Sequence, residues 1–247
     1  MNLLLLADAD VGGQITDWLC SNFPDDISLL VTVRDNEIAA SARKSRVRSI
    51  VFDSERQVCE EATRGNIVFD LGICAWWPKI LHSPLLELPK SGFVNTHPSL
   101  LPYCRGKHYN FWAIVEKVPF GVTLHTLDRS IDTGDIVAQI PIAYDWQDTG
   151  ETLYNKAAAA MVRLFCDTYP KLRSGNFERR AQDLSLGSFH LASELEPASR
   201  IDLDKDYRAR DLLNLLRART FRGHPACVFS DDGIEYEVRV EIARKPQ

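Results

Sequence analysis

Short apolar runs recur along the first hundred residues, and stretches with helical spacing of apolar positions lie between them. The runs fall at residues 3–7, 27–33, 47–52, 67–74 and 92–96. A short uninterrupted run is typical of a strand that is buried on both faces. Asp35 and Ser54 stand where the second and third helices would begin, and Asp35 is the predicted N-cap of the second. Strands that alternate with helices predict a mostly parallel sheet flanked by helices, which is a Rossmann-like α/β fold.

The pattern changes after Pro119. Residues 120–127 alternate apolar and polar side chains, residues 136–143 do so less cleanly, and an aspartate-rich turn separates them. A long helix is predicted over residues 151–172, little periodicity over 175–205, and a last helix over 207–219. Two short strands, 226–229 and 235–240, flank Asp231-Asp232-Gly233 and predict a hairpin. We therefore expect a main domain over residues 1–180 and an appendage of one helix and a β-hairpin over residues 181–247.

Composition and charge narrow the classes of function. Hydrophobic residues make up 45% of the 247 and charged residues 26%, which is the balance of a globular protein. A net charge of −5 argues against nucleic acid as a partner. No apolar run is long enough to span a membrane, so no membrane association is expected. The six cysteines form no CxxC pair, so we predict no metal site and a reducing, cytoplasmic location.

The candidate functional residues are concentrated in residues 93–114. Asn95 and His97 lie at the carboxyl end of the fifth predicted strand, where open parallel sheets place their ligands. Residues two apart in an extended chain point to the same side, so both side chains can face one small volume, and Pro98 holds His97 in extended backbone. A polar cluster follows at Arg105, Lys107 and His108. A single histidine after a strand is more often a capping or core residue, and the residue pattern alone leaves that alternative open.

The same segment resembles the signature of the 10-formyltetrahydrofolate-dependent formyltransferases. Asn95-Thr96-His97-Pro98-Ser99-Leu100-Leu101-Pro102 is followed by Arg105-Gly106, by Gly121-Val122-Thr123-Leu124-His125 and by Ile131-Asp132-Thr133-Gly134-Asp135. Asp132 stands 35 positions after His97, as the signature requires. The similarity extends over residues 67–142 in the correct order and spacing.

The resemblance implies a catalytic trio of Asn95, His97 and Asp132. Asn95 would donate to the oxyanion, His97 would accept a proton or stabilise the oxyanion, and Asp132 would orient His97. Asp135 is expected to be a turn residue. The resemblance also implies two binding sites. The co-substrate, 10-formyltetrahydrofolate, would be bound by Trp76, Trp77, Pro78, Ile80, Asp128 and Ile131. The substrate would be bound by Arg105, Lys107 and His108. One of the two tryptophans is expected to fill the core.

The amine that accepts the formyl group is predicted by exclusion and by similarity. The methionyl-tRNA enzymes carry a further basic domain, which is not seen in this sequence. The glycinamide ribonucleotide enzymes carry a glycine-rich phosphate loop after the first strand; residues 8–13 are only weakly of that type, because their two aspartates would repel a phosphate. The continuation Arg105-Gly106-Lys107-His108 through Ala113 is similar to that of the sugar-nucleotide formyltransferases, which act in lipopolysaccharide O-antigen synthesis. We therefore expect a nucleotide-linked amino-deoxysugar (dTDP-, GDP- or UDP-4-amino-sugar) as substrate and a homodimer formed through the hairpin. The alternatives are another amine, hydrolysis of formyltetrahydrofolate, and a binding module without activity.

Overall fold

The computed structural model describes residues 1–246 in two compact units. The first comprises Met1–His97, Thr123–Gln139 and Ala158–Gln182, and the second Pro98–Val122, Ile140–Ala157 and the chain from Asp183 onward. The strands are β1 (Leu3–Ala7), β2 (Ile27–Thr32), β3 (Ser49–Val51), β4 (Leu71–Ala75), β5 (Phe93–His97), β6 (Arg105–Gly106), β7 (Gly121–Thr126), β8 (Ile136–Pro141), β9 (Phe189–His190), β10 (Cys227–Asp231) and β11 (Ile234–Val238). The helices are α1 (Ala9–Asn22), α2 (Glu37–Lys44), α3 (Glu55–Arg64), α4 (Tyr109–Glu116), α5 (Gly150–Ser174), α6 (Leu195–Ala198) and α7 (Ala209–Arg219).

Seven strands form one sheet in the order β3-β2-β1-β4-β5-β7-β8. Pairing is parallel from β3 through β5, and β7 then runs antiparallel to β5. The chain leaves β1 on one side toward β2 and returns on the other at β4, which is the topology that opens a ligand crevice at the carboxyl ends of the strands. The predicted Rossmann-like fold class, with its C-terminal helix and hairpin, is confirmed.

The apolar runs become strands because both faces of the sheet are covered. Every residue of β1 and β4 is buried, and the core between sheet and helices includes Leu4, Leu29, Val58 and Phe93. Helix α1 packs so closely that a Cβ at Gly12 would lie 2.8 Å from the Ala75 carbonyl oxygen. The tight start of this crossover therefore requires glycine.

Local capping corrects one prediction. Asn36, rather than Asp35, caps α2, because its side-chain oxygen accepts from the Ala39 N–H at 3.1 Å. Ser54 caps α3 by accepting from the Gln57 N–H, and that helix ends at Gly65. Asp35 instead forms an exposed ion pair with Arg43 at 2.9 Å.

The second unit contains α4, α6, α7 and the hairpin. Helix α4 packs against α7, and β10 and β11 pair around a turn in which Asp232 and Gly233 both have positive φ. Such a turn matches the twist of the two strands that it joins. The segment that showed little periodicity contains β9, which pairs with β6, and α6. Across residues 1–246, no helix combines the length and the apolar character that crossing a membrane would require.

Candidate active site

Three polar side chains share one face of the sheet in the first unit. Asn95 and His97 are two apart on β5, and His125 on β7 is the cross-strand partner of Asn95. Side chains alternate along a strand, and directly opposed residues in an antiparallel pair point to the same side. Pairing of β5 with β7 therefore brings an amide and two imidazoles together at the carboxyl end of β5.

Asp132 reaches this group from the turn between β7 and β8. Its backbone is left-handed, with φ of 55°, a conformation that aspartate tolerates better than most residues. Gly134 leaves room for the turn, since a Cβ there would meet the Thr126 carbonyl oxygen far inside normal contact distance. Gln182 fixes the turn from outside by donating its amide N–H groups to the carbonyls of Asp132 (3.0 Å) and Gly134 (2.6 Å).

The Asp132 carboxylate lies between the two imidazoles. Its Oδ2 is 3.4 Å from His97 Nδ1, and its Oδ1 is 3.5 Å from His125 Nε2. The rings of His97 and His125 are 6.0 Å apart and nearly perpendicular. All three side chains are buried, with His97 5% and Asp132 9% exposed, so their interactions are little screened by water.

The tautomer of His125 follows from its neighbours. Nδ1 lies 2.8 Å from the Thr126 carbonyl oxygen, which can only accept, so Nδ1 carries a proton and donates it there. Asn95 Nδ2, which can only donate, lies 3.1 Å from His125 Nε2. Nε2 therefore accepts with its lone pair. This hydrogen bond fixes the amide of Asn95 and leaves its second N–H available to a ligand.

The six residues predicted to contact folate occupy two loops of the same unit. Trp77 is buried and packs edge-on against Phe52 in the core, as expected for one of the two tryptophans. Trp76 is half-buried in a left-handed conformation, and its backbone N–H donates to Thr96 Oγ1 at 2.8 Å. This bond ties the loop to the strand that carries Asn95.

The other four members are exposed: Pro78, Ile80, Asp128 and Ile131. Asp128 accepts from the Ser130 N–H at 2.9 Å and from Thr133 Oγ1, so its carboxylate stabilises the turn that leads to Asp132. Ile80 is 61% exposed, which leaves an apolar side chain free to cover a ligand. Asp135, the predicted turn residue, accepts from the Thr126 N–H through its carbonyl oxygen and donates its own N–H to Thr126 Oγ1, both at 2.9 Å.

Arg105, Lys107 and His108 belong to the second unit. Lys107 is exposed, and His108 is half-buried with a left-handed backbone immediately before α4. Burial lowers the pKa of the His108 imidazole, and the positive charges of Arg219 and Lys107 lower it further. Arg219 and Lys107 therefore contribute positive potential at His108, and Glu196 opposes it. The sequence analysis had not assigned Arg219 to this group.

His125 is the residue that the sequence analysis did not assign to the site. It appeared there only as the last residue of a matched strand. Its position opposite Asn95 depends on the antiparallel pairing of β7 with β5, which no local pattern reveals. One sequence feature could have indicated His125: residues 120–127 alternate, which places the His125 and Leu124 side chains on different faces of the sheet.

The assembled group can donate a fixed amide N–H, accept a proton on an imidazole and stabilise positive charge on that imidazole with a carboxylate. These are the requirements of acyl transfer through a tetrahedral intermediate. Within residues 1–246, His97, His125 and Asp132 also form a group that could hold a metal ion, with one ligand atom of each within 4.8 Å of the others.

Two family models match the chain. The formyl transferase model matches residues 28–168, and the model of the N-formyltransferase dimerization C-terminal domain matches residues 194–244. The methionyl-tRNA formyltransferase of Geobacillus thermodenitrificans is 38% identical over 110 residues, which are 43% of this chain and 34% of that one. The chain spans between a third and a half of the length of the curated relatives it matches, 34% and 47% for two of them.

Two solved structures share the fold. A 4-N formyltransferase from Francisella tularensis has a TM-score of 0.81 at 22% identity, over 99% of this chain and 98% of that one. An N-formyltransferase from Helicobacter canadensis, in complex with folinic acid and dTDP-3-aminofucose, has a TM-score of 0.71 at 18% identity, over 94% and 84% of the two chains. With its catalytic-domain match covering more than half of its length, the chain belongs to the formyl transferase family.

Proposed function

We propose that this protein transfers the formyl group of 10-formyltetrahydrofolate to the amine of a nucleotide-linked amino-deoxysugar. The observation that carries the proposal is the cluster of Asn95, His97, His125 and Asp132 at the carboxyl end of β5, in a chain of the formyl transferase family. The similarity of fold to a sugar N-formyltransferase from Shewanella, with a TM-score of 0.81 at 22% identity over 100% of this chain and 99% of that one, supports a sugar acceptor.

The reaction joins the amine nitrogen to the formyl carbon and breaks the bond from that carbon to N10 of the folate. Asn95 donates its free N–H to the oxygen that becomes negative, a contribution of about 10²–10³ in rate. His97 accepts the proton that the attacking amine loses, and Asp132 at 3.4 Å stabilises the resulting imidazolium. His97 then returns this proton to N10 as the folate leaves, which restores the neutral imidazole. His125 touches no reacting atom and acts by holding Asn95 in place.

The folate site is proposed at the two loops beside this cluster in the first unit. Trp76 offers a half-buried ring on a loop that is tied to β5, and Ile80 and Ile131 offer exposed apolar side chains. An aromatic and aliphatic lining suits the pterin and aminobenzoyl rings. Trp77 supports this loop from inside the core and contributes no face to the ligand.

The nucleotide-sugar site is proposed at the positive group of the second unit. Arg105, Lys107 and His108 are joined there by Arg219, whose side chain is 8% exposed and forms an ion pair with Glu196. Burial lowers the pKa of His108, and the charges of Arg219 and Lys107 lower it further, against the opposing effect of Glu196. A diphosphate is the group of a nucleotide sugar that such a potential attracts.

The decisive experiment offers 10-formyltetrahydrofolate together with a panel of acceptors: dTDP-, GDP- and UDP-linked 4-amino-sugars, charged methionyl-tRNA and glycinamide ribonucleotide. We expect one amino-sugar to gain the mass of one carbonyl group while tetrahydrofolate appears in equal amount. Formylation of tRNA, to which the sequence relatives point, would overturn the sugar assignment. Folate turnover without any acceptor would indicate a hydrolase.

A homodimer is proposed through the C-terminal hairpin. The match to a dimerization domain covers it, and Ile234 (55% exposed) and Tyr236 (44%) offer apolar surface on β11. Light scattering should give twice the mass of one chain for the wild type and the mass of one chain for Ile234→Asp. Val68→Asp, at a site in the first unit that is 53% exposed, is the matched control and should stay dimeric. A monomeric wild type at micromolar concentration would contradict the proposal.

A further inference from the structure

We propose that the cluster of His97, His125 and Asp132 is a binding site for Zn²⁺ and similar first-row divalent cations, and that the ion acts there as an inhibitor rather than as a cofactor. Two imidazoles and one carboxylate are a donor set that zinc takes in proteins, usually with water in the remaining position. One ligand atom of each residue lies within 4.8 Å of the other two.

The distances are close to those that an ion needs. Donor atoms around a tetrahedral zinc are about 3.3–3.5 Å apart, given metal–ligand bonds of about 2.0–2.1 Å. His97 Nδ1 and Asp132 Oδ2 are already 3.4 Å apart, and His125 Nε2 is 3.5 Å from Asp132 Oδ1. Each carboxylate oxygen therefore lies at donor–donor distance from one ring nitrogen, and the three ligand atoms, which lie within 4.8 Å of one another, have to draw closer around a single ion.

The state of His125 is an independent observation that points to a metal. Its Nδ1–H donates to the Thr126 carbonyl at 2.8 Å, which leaves the lone pair of Nε2 facing the cluster. A histidine that binds a metal through one nitrogen and donates the other N–H to a backbone carbonyl is the common arrangement around zinc. Both the ring orientation and the tautomer are thus set before any ion arrives.

Inhibition follows from the electron pairs that the ion would occupy. The cation would take the nitrogen of His97 that faces Asp132, the carboxylate itself, and the lone pair by which His125 holds Asn95. Because affinity for imidazole ligands rises toward copper and zinc while Mg²⁺ prefers oxygen ligands and water, Zn²⁺ should inhibit and Mg²⁺ should not. This consequence rests on the proposed function, whereas binding of the ion does not.

Binding is tested by titrating the purified chain with Co²⁺ in thiol-free buffer, following the visible absorption of the coordinated ion and its displacement by Zn²⁺. We expect one high-affinity equivalent for the wild type. Both His125→Leu and Asp132→Asn should weaken binding by at least about 10-fold, with circular dichroism reporting that each is folded. His82→Leu is the matched control, because His82 also lies 3.2 Å from a carboxylate, that of Glu55, but is exposed and outside the cluster.

Asn95→Ala separates metal binding from catalysis. Asn95 supplies no ligand, so this variant should bind Co²⁺ as tightly as the wild type or more tightly while its formyl transfer falls. The proposal is overturned if the wild type does not bind Co²⁺, or if folded His125→Leu or Asp132→Asn binds it as tightly as the wild type. Loss of Co²⁺ binding in Asn95→Ala would also overturn it. In the activity arm, Zn²⁺ should stop transfer and EDTA restore it; zinc that binds without inhibiting would refute the inhibitory role. Should no acceptor be formylated, the Co²⁺ titration still decides the site.

Discussion

Replacing Gly134 by alanine tests whether the backbone of the β7–β8 turn sets the position of the Asp132 carboxylate. Gly134 lies two residues after Asp132, and the Cβ of an alanine there would point at the Thr126 carbonyl. Thr126 is itself held in place, because its backbone N–H donates to the Asp135 carbonyl oxygen, its hydroxyl accepts from the Asp135 N–H, and it follows the buried His125. The turn, rather than the strand, must therefore move.

The size of the movement can be read from the structure. The added Cβ would fall more than an ångström inside the 3.0 Å that real Cβ contacts respect. Gln182 holds both the Asp132 and the Gly134 carbonyls, so a displacement of one is passed to the other. A misplacement of about 1 Å in a catalytic group costs on the order of 10²-fold in rate. Overpacking at one site costs about 1–3 kcal/mol, which a protein of ordinary stability survives.

The assay measures kcat for formyl transfer together with the free energy of unfolding in urea. Gly134→Ala should lose about 100-fold in kcat while it remains folded. Gly13→Ala is the matched control, since the Cβ added there meets only Ile38 Cγ1 at 3.6 Å in the middle of α1. It should leave kcat unchanged and stabilise the protein by about 0.5–1 kcal/mol. A folded Gly134→Ala enzyme with wild-type kcat would refute the argument that this turn positions Asp132.

His125 and Asp26 can each be tested by substitution. His125→Leu should lower kcat by on the order of 10-fold or more without changing KM for the folate, because Asn95 loses the partner that orients it. His125→Gln can still accept a hydrogen bond from Asn95 and should recover part of the loss. Equal losses of kcat in the two variants would show that His125 has only a packing role. Burial alone would raise the pKa of Asp26, but hydrogen bonds from Arg173 and Tyr169 hold it below its usual value. Its stabilisation is therefore complete at neutral pH and is lost as the pH falls below about 4, so the urea midpoint of Asp26→Asn should lie below that of the wild type at pH 7 and approach it only in acid. A gap that closes already near pH 6 would contradict this assignment.

Local sequence predicts most of the sheet because its strands are buried on both faces. Leu3 through Ala7 can form little else than an inner strand, since every one of these residues is 0% exposed. Capping is predicted less well, because aspartate and asparagine are about equally favoured as N-caps and only the path of the chain selects Asn36 over Asp35. Helix α4 was not predicted, because Phe111, Trp112, Ala113 and Ile114 are all buried and leave no polar stripe to reveal its period.

The candidate site, like the fold, is predicted by local sequence only in part. Asn95 and His97 follow from the alternation of a single strand, and Asp132 was found from its spacing in the family signature. His125 could not be assigned in this way, because its contact with Asn95 depends on the order and direction of two strands that are 30 residues apart. The burial of Trp77 and the half-burial of Trp76 are likewise set by tertiary packing, and adjacent identical residues give no pattern that separates them.

Single-turnover rates with the accepted amine test whether Asn95, His97 and Asp132 transfer the formyl group. Asn95→Ala, His97→Ala and Asp132→Asn should each lose at least about 10² in rate while circular dichroism shows a folded protein. Asp135→Asn is the matched control from the same turn, since Asp135 holds Thr126 through its backbone alone. This control should transfer the formyl group at the wild-type rate. Near-wild-type transfer by any folded member of the trio would contradict the assignment of these three catalytic residues.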